Sequence, residues 1–155
     1  MSWIVIPGEP VSQPRGRAVM RGPRPSIVTA QSSHAVWQYR DRIIHELQKL
    51  ERVPPPGRPP LRLSVQFWFP FVGNPRKTKP NPAQFKTTKP DLDNLLKGLK
   101  DAISESQTLW SDDRQVVEYD QVQKFICAYG DQPQTLIRVE VLTLADLKAV
   151  TEIPF

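Results

Sequence analysis

The sequence is poor in the residues that staple a fold or bind soft metals, with one cysteine and two histidines in 155 residues. Cys127, in the apolar-leaning run KFICAY, has no second cysteine to pair with. An internal disulfide is therefore excluded, and a reduced, intracellular compartment is expected. A zinc centre, which draws on sulfur and imidazole, has almost nothing to work with. No apolar run approaches the ~20 residues of a membrane span, and the opening MSWIVIPGEP lacks the charged start and long apolar core of a signal peptide. A cytoplasmic protein with no membrane partner and no small-molecule cofactor is the expectation. Acid is also the minority charge: 21 Lys and Arg stand against 16 Asp and Glu, for a formal charge of +5. The resulting pI of about 9.6 favours a polyanionic partner such as nucleic acid. A chain of this length buries roughly 68–70% of its unfolded surface, so one domain spanning 1–155 needs no cross-links.

Proline is plentiful, but its clusters punctuate the chain rather than disorder it, and no internal repeat is visible. Ile4 to Ile6 reads as a short strand ended by Pro7-Gly8. VSQPRGRAVMRGPRPS follows as a proline-broken basic loop carrying Arg15, Arg17, Arg21 and Arg24. Val36, Tyr39, Ile43, Leu47 and Leu50 recur at helical steps until PPPGRPP stops the helix. Leu61 to Phe69 alternates apolar with polar, the pattern of a half-buried strand. Residues 72–90 form a long basic loop with Arg76, Lys77, Lys79, Lys86 and Lys89 and no acid. Structureless loops of that length are uncommon in compact domains and often functional. A second helix is predicted from about Asp91 to Ser104 and a strand from Val116 to Ala128. In a last strand, Ile137, Val139 and Val141 face opposite to Arg138 and Glu140. The order β–α–β–α–β–β predicts an α/β (α+β) fold, a small mixed sheet with two main helices.

The second helix carries an apolar stripe of Leu92, Leu95, Leu96, Leu99 and Ile103 and a polar row of Asp93, Lys97 and Asp101. Capping explains part of this. Asp91 is a good N-cap, and Asp93 in the first turn complements the helix dipole for up to ~1 kcal/mol. If the extended conformation persists to Asp93, the Asp91 and Asp93 carboxylates share a side; if Asp93 is already helical, they diverge. A second acidic pair, Asp112-Asp113 in LWSDDRQVV, lies in a turn about twenty residues on, where a returning strand can approach the helix. Asp-rich turns are common before strands. Two acidic pairs that the topology can bring together, in a basic protein, call for a cation between them, since like charges repel. Oxygen-only donors suit Mg²⁺, or Mn²⁺, and with basic loops nearby they point to metal-dependent phosphodiester hydrolysis.

PDLDNLLKGLKDAI followed by LWSDDRQV resembles the RusA family of Holliday junction resolvases, over Asp91 to Val116. Asn94, Lys97, Asp101, Asp112, Asp113 and Gln115 all fall on the family pattern, and IPGEPVSQPRGR is similar to the family's strand-then-basic-loop start. The resemblance implies a homodimer that binds four-way DNA junctions and nicks two opposed strands. It implies Asp91, Asp93 and Asp113 as metal ligands and Lys97 as the essential lysine. Asp112 becomes a supporting residue, and Asn94 a candidate for orienting a carboxylate. Arg15, Arg17, Arg76, Lys77, Lys79, Lys86 and Lys89 are candidate phosphate contacts, although exposed basic loops are often merely solvated. Phe85 could wedge between bases or anchor its loop. Trp110 fits core packing, and Trp37, Tyr39 and Ile43 fit either core or a dimer seam.

Three other readings compete. Pro90-Asp91 is reminiscent of the restriction-endonuclease signature, which needs an acid two residues before a strand lysine, whereas Val122 precedes Lys124. A D-x-D nucleotide-sugar transferase would be short at this length. A non-catalytic DNA-binding module would use the acids only as caps and turns.

Overall fold

The computed structural model describes residues 2–13, 17–28, 35–75 and 81–152. In chain order the elements are β1 (Ile4–Pro7), β2 (Arg17–Arg21), β3 (Arg24–Val28), α1 (Ala35–Gln48), β4 (Leu61–Phe69) and β5 (Gln84–Phe85). They continue with α2 (Leu92–Ser106), a 3₁₀ turn (Asp113–Gln115), β6 (Val116–Ile126), β7 (Gln134–Val141) and α3 (Leu144–Thr151). Five strands form one mixed sheet in the order β1-β7-β4-β6-β5. β4 runs parallel to β6 and antiparallel to β7. The parallel pair requires a crossover, and α2 supplies it.

Alternation explains which face is covered. Leu61, Leu63, Val65, Phe67 and Phe69 of β4 are all buried, and they pack with Tyr39, Ile43 and Leu47 of α1 and Leu95, Leu99 and Ile103 of α2. Tyr39 and Ile43 are therefore core, which removes them from any dimer seam; the Tyr39 hydroxyl shares a 2.5 Å hydrogen bond with Thr135. The opposite face is polar at its Arg62 end and aromatic at its Trp68 end. There Arg62 of β4 reaches Glu118 at 2.8 Å, Glu140 at 3.7 Å and Asp146 at 3.9 Å, lacing β6, β7 and α3 together.

Three elements depart from the sequence expectation. The first basic loop contains a hairpin, β2–β3, whose turn places Gly22 at φ 66° before Pro23. Positive φ followed by the negative φ of proline is the order of a type II′ hairpin turn, so RGPR closes a hairpin where it reads as a break. The 72–90 loop contains β5, which pairs with β6 through Phe85 and Phe125. Last, LADLKAVT forms α3, capped by Thr143, whose hydroxyl and amide both donate to the Asp146 carboxylate.

Candidate active site

The start of α2 is the point on which the site turns. Asp91 takes the N-cap position in extended conformation (φ −69°, ψ 142°), yet its side chain makes no cap hydrogen bond. The helix thus gains an N-cap residue without using its carboxylate. Asp93 already lies inside α2, so it diverges from Asp91 rather than sharing its side. Asp93 and Lys97 are exposed one turn apart on the polar face, and Asn94, to one side of them on the helix, is half-buried.

The chain entering this corner is held from the sheet. The Lys124 ammonium of β6 donates 2.7 Å hydrogen bonds to the carbonyls of both Thr88 and Pro90. The Lys124 carbonyl in turn accepts from the Lys86 amide at 3.1 Å. A strand lysine therefore does meet the Pro90-Asp91 corner, although the acid of the restriction-endonuclease signature is missing. Lys124 was legible in principle: it stands in β6 between Val122 and Ile126, at the parity of core-facing Phe67. A cation in an apolar series marks a buried polar partner. Beside the corner runs a shallow cleft lined by Glu9, Ser12, Phe69, Lys86 and Lys89. Lys86 donates to Thr88 Oγ1 at 2.9 Å and sits 5.0 Å from the Phe69 ring centroid. Gln13 lies against Gly98, where an added Cβ would come within 3.4 Å, so the segment leading to Arg15 crosses α2 next to Lys97.

The second acidic pair is built differently. Asp112 caps the 3₁₀ turn, and the Arg114 guanidinium grips its carboxylate with contacts down to 2.6 Å, holding it well below the usual carboxylate range. Asp113 is 3.3 Å from the ammonium of Lys100, which also donates to Tyr119 at 3.1 Å. Sequence reasoning did not single out Lys100; its place on α2, seven residues after Asp93, was the available signal. Behind the pair, buried Gln115 organises the turn. Its Oε1 accepts from the Ser111 amide (3.0 Å), the Ser111 hydroxyl (2.8 Å) and the Asp112 amide (3.2 Å). Its Nε2 donates to Pro59 at 3.2 Å. Gln115→Ala strands these groups and should cost about 2–3 kcal/mol in urea unfolding. A loss under about 0.5 kcal/mol would mean that water replaces the network.

Among the described residues, no group of three or more His, Cys, Asp or Glu side chains could hold a metal ion. The donors present are oxygen, as Mg²⁺ or Mn²⁺ would want, but Asp91, Asp93 and Asp113 are not gathered into one centre. The reason is direction. α2 and β6 are antiparallel, so the strand residue beside the start of α2 is Lys124, whereas the Asp112-Asp113 turn meets α2 at Lys100. Of the candidate phosphate contacts, Lys86 and Lys89 line the cleft. Arg17 begins β2, with its side chain outside the described residues, as are Arg15, Arg76, Lys77 and Lys79.

An uncapped acid at a helix start, a lysine clamp behind it and basic flanks fit phosphodiester chemistry, and sequence comparison decides the family. The model of the endodeoxyribonuclease RusA family matches residues 7–140. The chain is a RusA-family endodeoxyribonuclease. That match begins at the last residue of β1 and takes in the cleft, the Asp91 corner and both acidic pairs, which places the site just described within the RusA unit. It is 32% identical over 145 residues to the uncharacterized protein YqaN of Bacillus subtilis (strain 168), covering 90% of this chain and 92% of that protein. It is 43% identical over 58 residues to the crossover junction endodeoxyribonuclease rusA of Lactococcus phage r1t, covering 37% of this RusA chain and 40% of the phage protein. No helix among the described residues is long and apolar enough to cross a membrane.

Proposed function

We propose that this RusA-family nuclease resolves four-way (Holliday) DNA junctions by paired symmetric nicks, in recombination and repair, in the cytoplasm of a bacterium or a phage-infected cell. The observation that carries the reading is the Asp91 carboxylate, set at a helix start and not spent on capping it. The phage relative's name supports the junction as substrate. Asp91, Asp93 and Asp113 are the proposed ligands of Mg²⁺, with Mn²⁺ as a substitute. Such a cation, held by these carboxylates, would supply a hydroxide nucleophile near neutral pH and charge stabilisation at the phosphate. Asp113 would exchange Lys100 for the cation. Helix side chains lean toward the N-terminus, so the Lys100 ammonium that Asp113 now meets lies on the Asp93 side of its own backbone. Lys97 faces the phosphate from one turn beyond Asp93 and offsets its developing charge. Asn94 and Asp112 are supporting residues.

Arg15, Arg17, Arg76, Lys77, Lys79, Lys86 and Lys89 are the proposed phosphate contacts. They carry affinity without reading sequence, so binding should fall steeply with salt. Cutting two opposed strands needs two centres, and a homodimer provides them by symmetry. The surface that favours it is α3, a helix with no buried residue, where Leu144, Leu147 and Val150 are exposed beside Val117. One experiment tests the proposal: four-way, flap and linear duplex DNA are incubated with the protein and Mg²⁺, and the nicks are mapped. Symmetric incision confined to the four-way substrate is expected, with a mass of two chains by light scattering. Equal cutting of linear duplex, or binding insensitive to salt, would sink it.

A further inference from the structure

Three aromatic rings stand in register on three neighbouring strands: Trp68 on β4, Phe125 on β6 and Phe85 on β5. Trp68 and Phe125 stack with centroids 4.4 Å apart and planes 19° apart. Phe125 and Phe85 continue the stack at 5.2 Å and 29°. The ladder lies on the sheet face turned away from α1 and α2, because Trp68 alternates with buried Phe67 and Phe69. Among the described residues β5 is the last strand of the sheet, and Phe85 on it is 68% exposed. One face of its ring is stacked on Phe125, and the other is presented at the sheet edge.

We infer that the Trp68–Phe125–Phe85 ladder is a base-stacking platform, on whose outer face an unstacked nucleobase of the DNA continues the row of rings. Stacking on an aromatic face is available to any base, since each has a π surface, so the platform selects for an unpaired or splayed nucleotide rather than for a sequence. Charge at the same sheet edge favours this occupant, from the other face: Lys86, the next residue, turns to the Phe69 side, where it and Lys89 line the cleft. The platform is also tied to the reaction corner. Phe125 holds Phe85 on one face of β6, while its neighbour Lys124 points to the other face and grips the carbonyls of Thr88 and Pro90. A base held on Phe85 therefore fixes its strand at the same sheet edge, on the face opposite the Asp91 corner. Mere anchoring of β5 would need only an apolar side chain at this position, and the ring's exposed face would then have no task.

The inference rests on the junction-nuclease reading for its biological substrate, so the test includes an arm independent of junctions. Phe85→Leu keeps an apolar anchor and removes the π face; Phe85→Trp keeps both. Binding is measured by fluorescence anisotropy without divalent cation, on a single-stranded oligonucleotide, its linear duplex and a four-way junction, with thermal melting to confirm folding. Phe85→Leu should bind the single strand and the junction about ten-fold more weakly, with duplex affinity unchanged and Phe85→Trp close to the parent. Single-strand affinity unchanged in Phe85→Leu overturns the platform, as does an equal loss on duplex. A parent protein that fails to cut the junction, while Phe85→Leu still loses the single strand, would count against the resolvase reading and leave the platform standing.

Discussion

Asp91→Asn and Asp93→Asn should each lower cation-dependent cleavage by at least about 100-fold while leaving DNA binding without cation intact. Asp91 makes the sharper case. Asparagine is as good an N-cap as aspartate, and the Asp91 side chain makes no cap hydrogen bond to lose. The substitution therefore removes a negative charge and little else, and thermal melting should barely move. Asp93→Asn also gives up a first-turn dipole interaction, up to ~1 kcal/mol, which a melt reads separately. Calorimetry with Mn²⁺ completes the test, since each variant should bind the ion more weakly than the parent. Full cleavage by either variant would take that carboxylate out of the reaction. Loss of cleavage with undiminished Mn²⁺ binding would take it out of the ligand set.

The parts of this molecule that a linear pattern can express were readable from the sequence. The alternation of Leu61 to Phe69 made a buried face, and the leucine stripe of α2 placed that helix on it. What escaped was set by turns and by direction. Pro23 and Pro25 read as breaks because proline denies a strand its donor, but β2–β3 is a separate two-stranded ribbon with solvent at its edges, where that donor is not needed. β5 is two residues long, too short for any periodicity, and exists because Phe85 finds Phe125 across the sheet. At the site, residue type was legible and arrangement was not. Both acidic pairs stand out by spacing, and Lys97 as a candidate by its place in the family pattern, but the separation of Asp113 from the helix start follows from how far β6 runs before it draws level with Pro90. Lys124 and Lys100, which engage the entrance to Asp91 and the Asp113 carboxylate, belong to that unread geometry.

Trp110→Ala should be the most damaging single change to the fold, with consequences for the site. Trp110 is among the largest fully buried side chains and packs in the main core, and its indole N–H donates to Ser104 Oγ at 2.8 Å. It stands between the end of α2 and the Asp112-Asp113 turn. There Gln107 turns left-handed at φ 52°, and its side chain bonds the carbonyls of Ser104 and Ser111. Truncating a buried tryptophan to alanine costs about 3–5 kcal/mol, against about 5–15 kcal/mol for the stability of a whole domain. Trp110→Ala should accordingly melt roughly 10 °C or more below the parent. Trp110→Phe fills most of the cavity and loses the bond to Ser104, for about 1 kcal/mol from that bond. The turn links the two effects: with its packing gone, Asp113 is no longer held at a fixed distance from α2. Trp110→Ala, assayed well below its melting temperature, should then cut DNA more slowly than Trp110→Phe. Equal cleavage by the two folded variants would show that the turn keeps Asp113 in place through the Gln115 network alone.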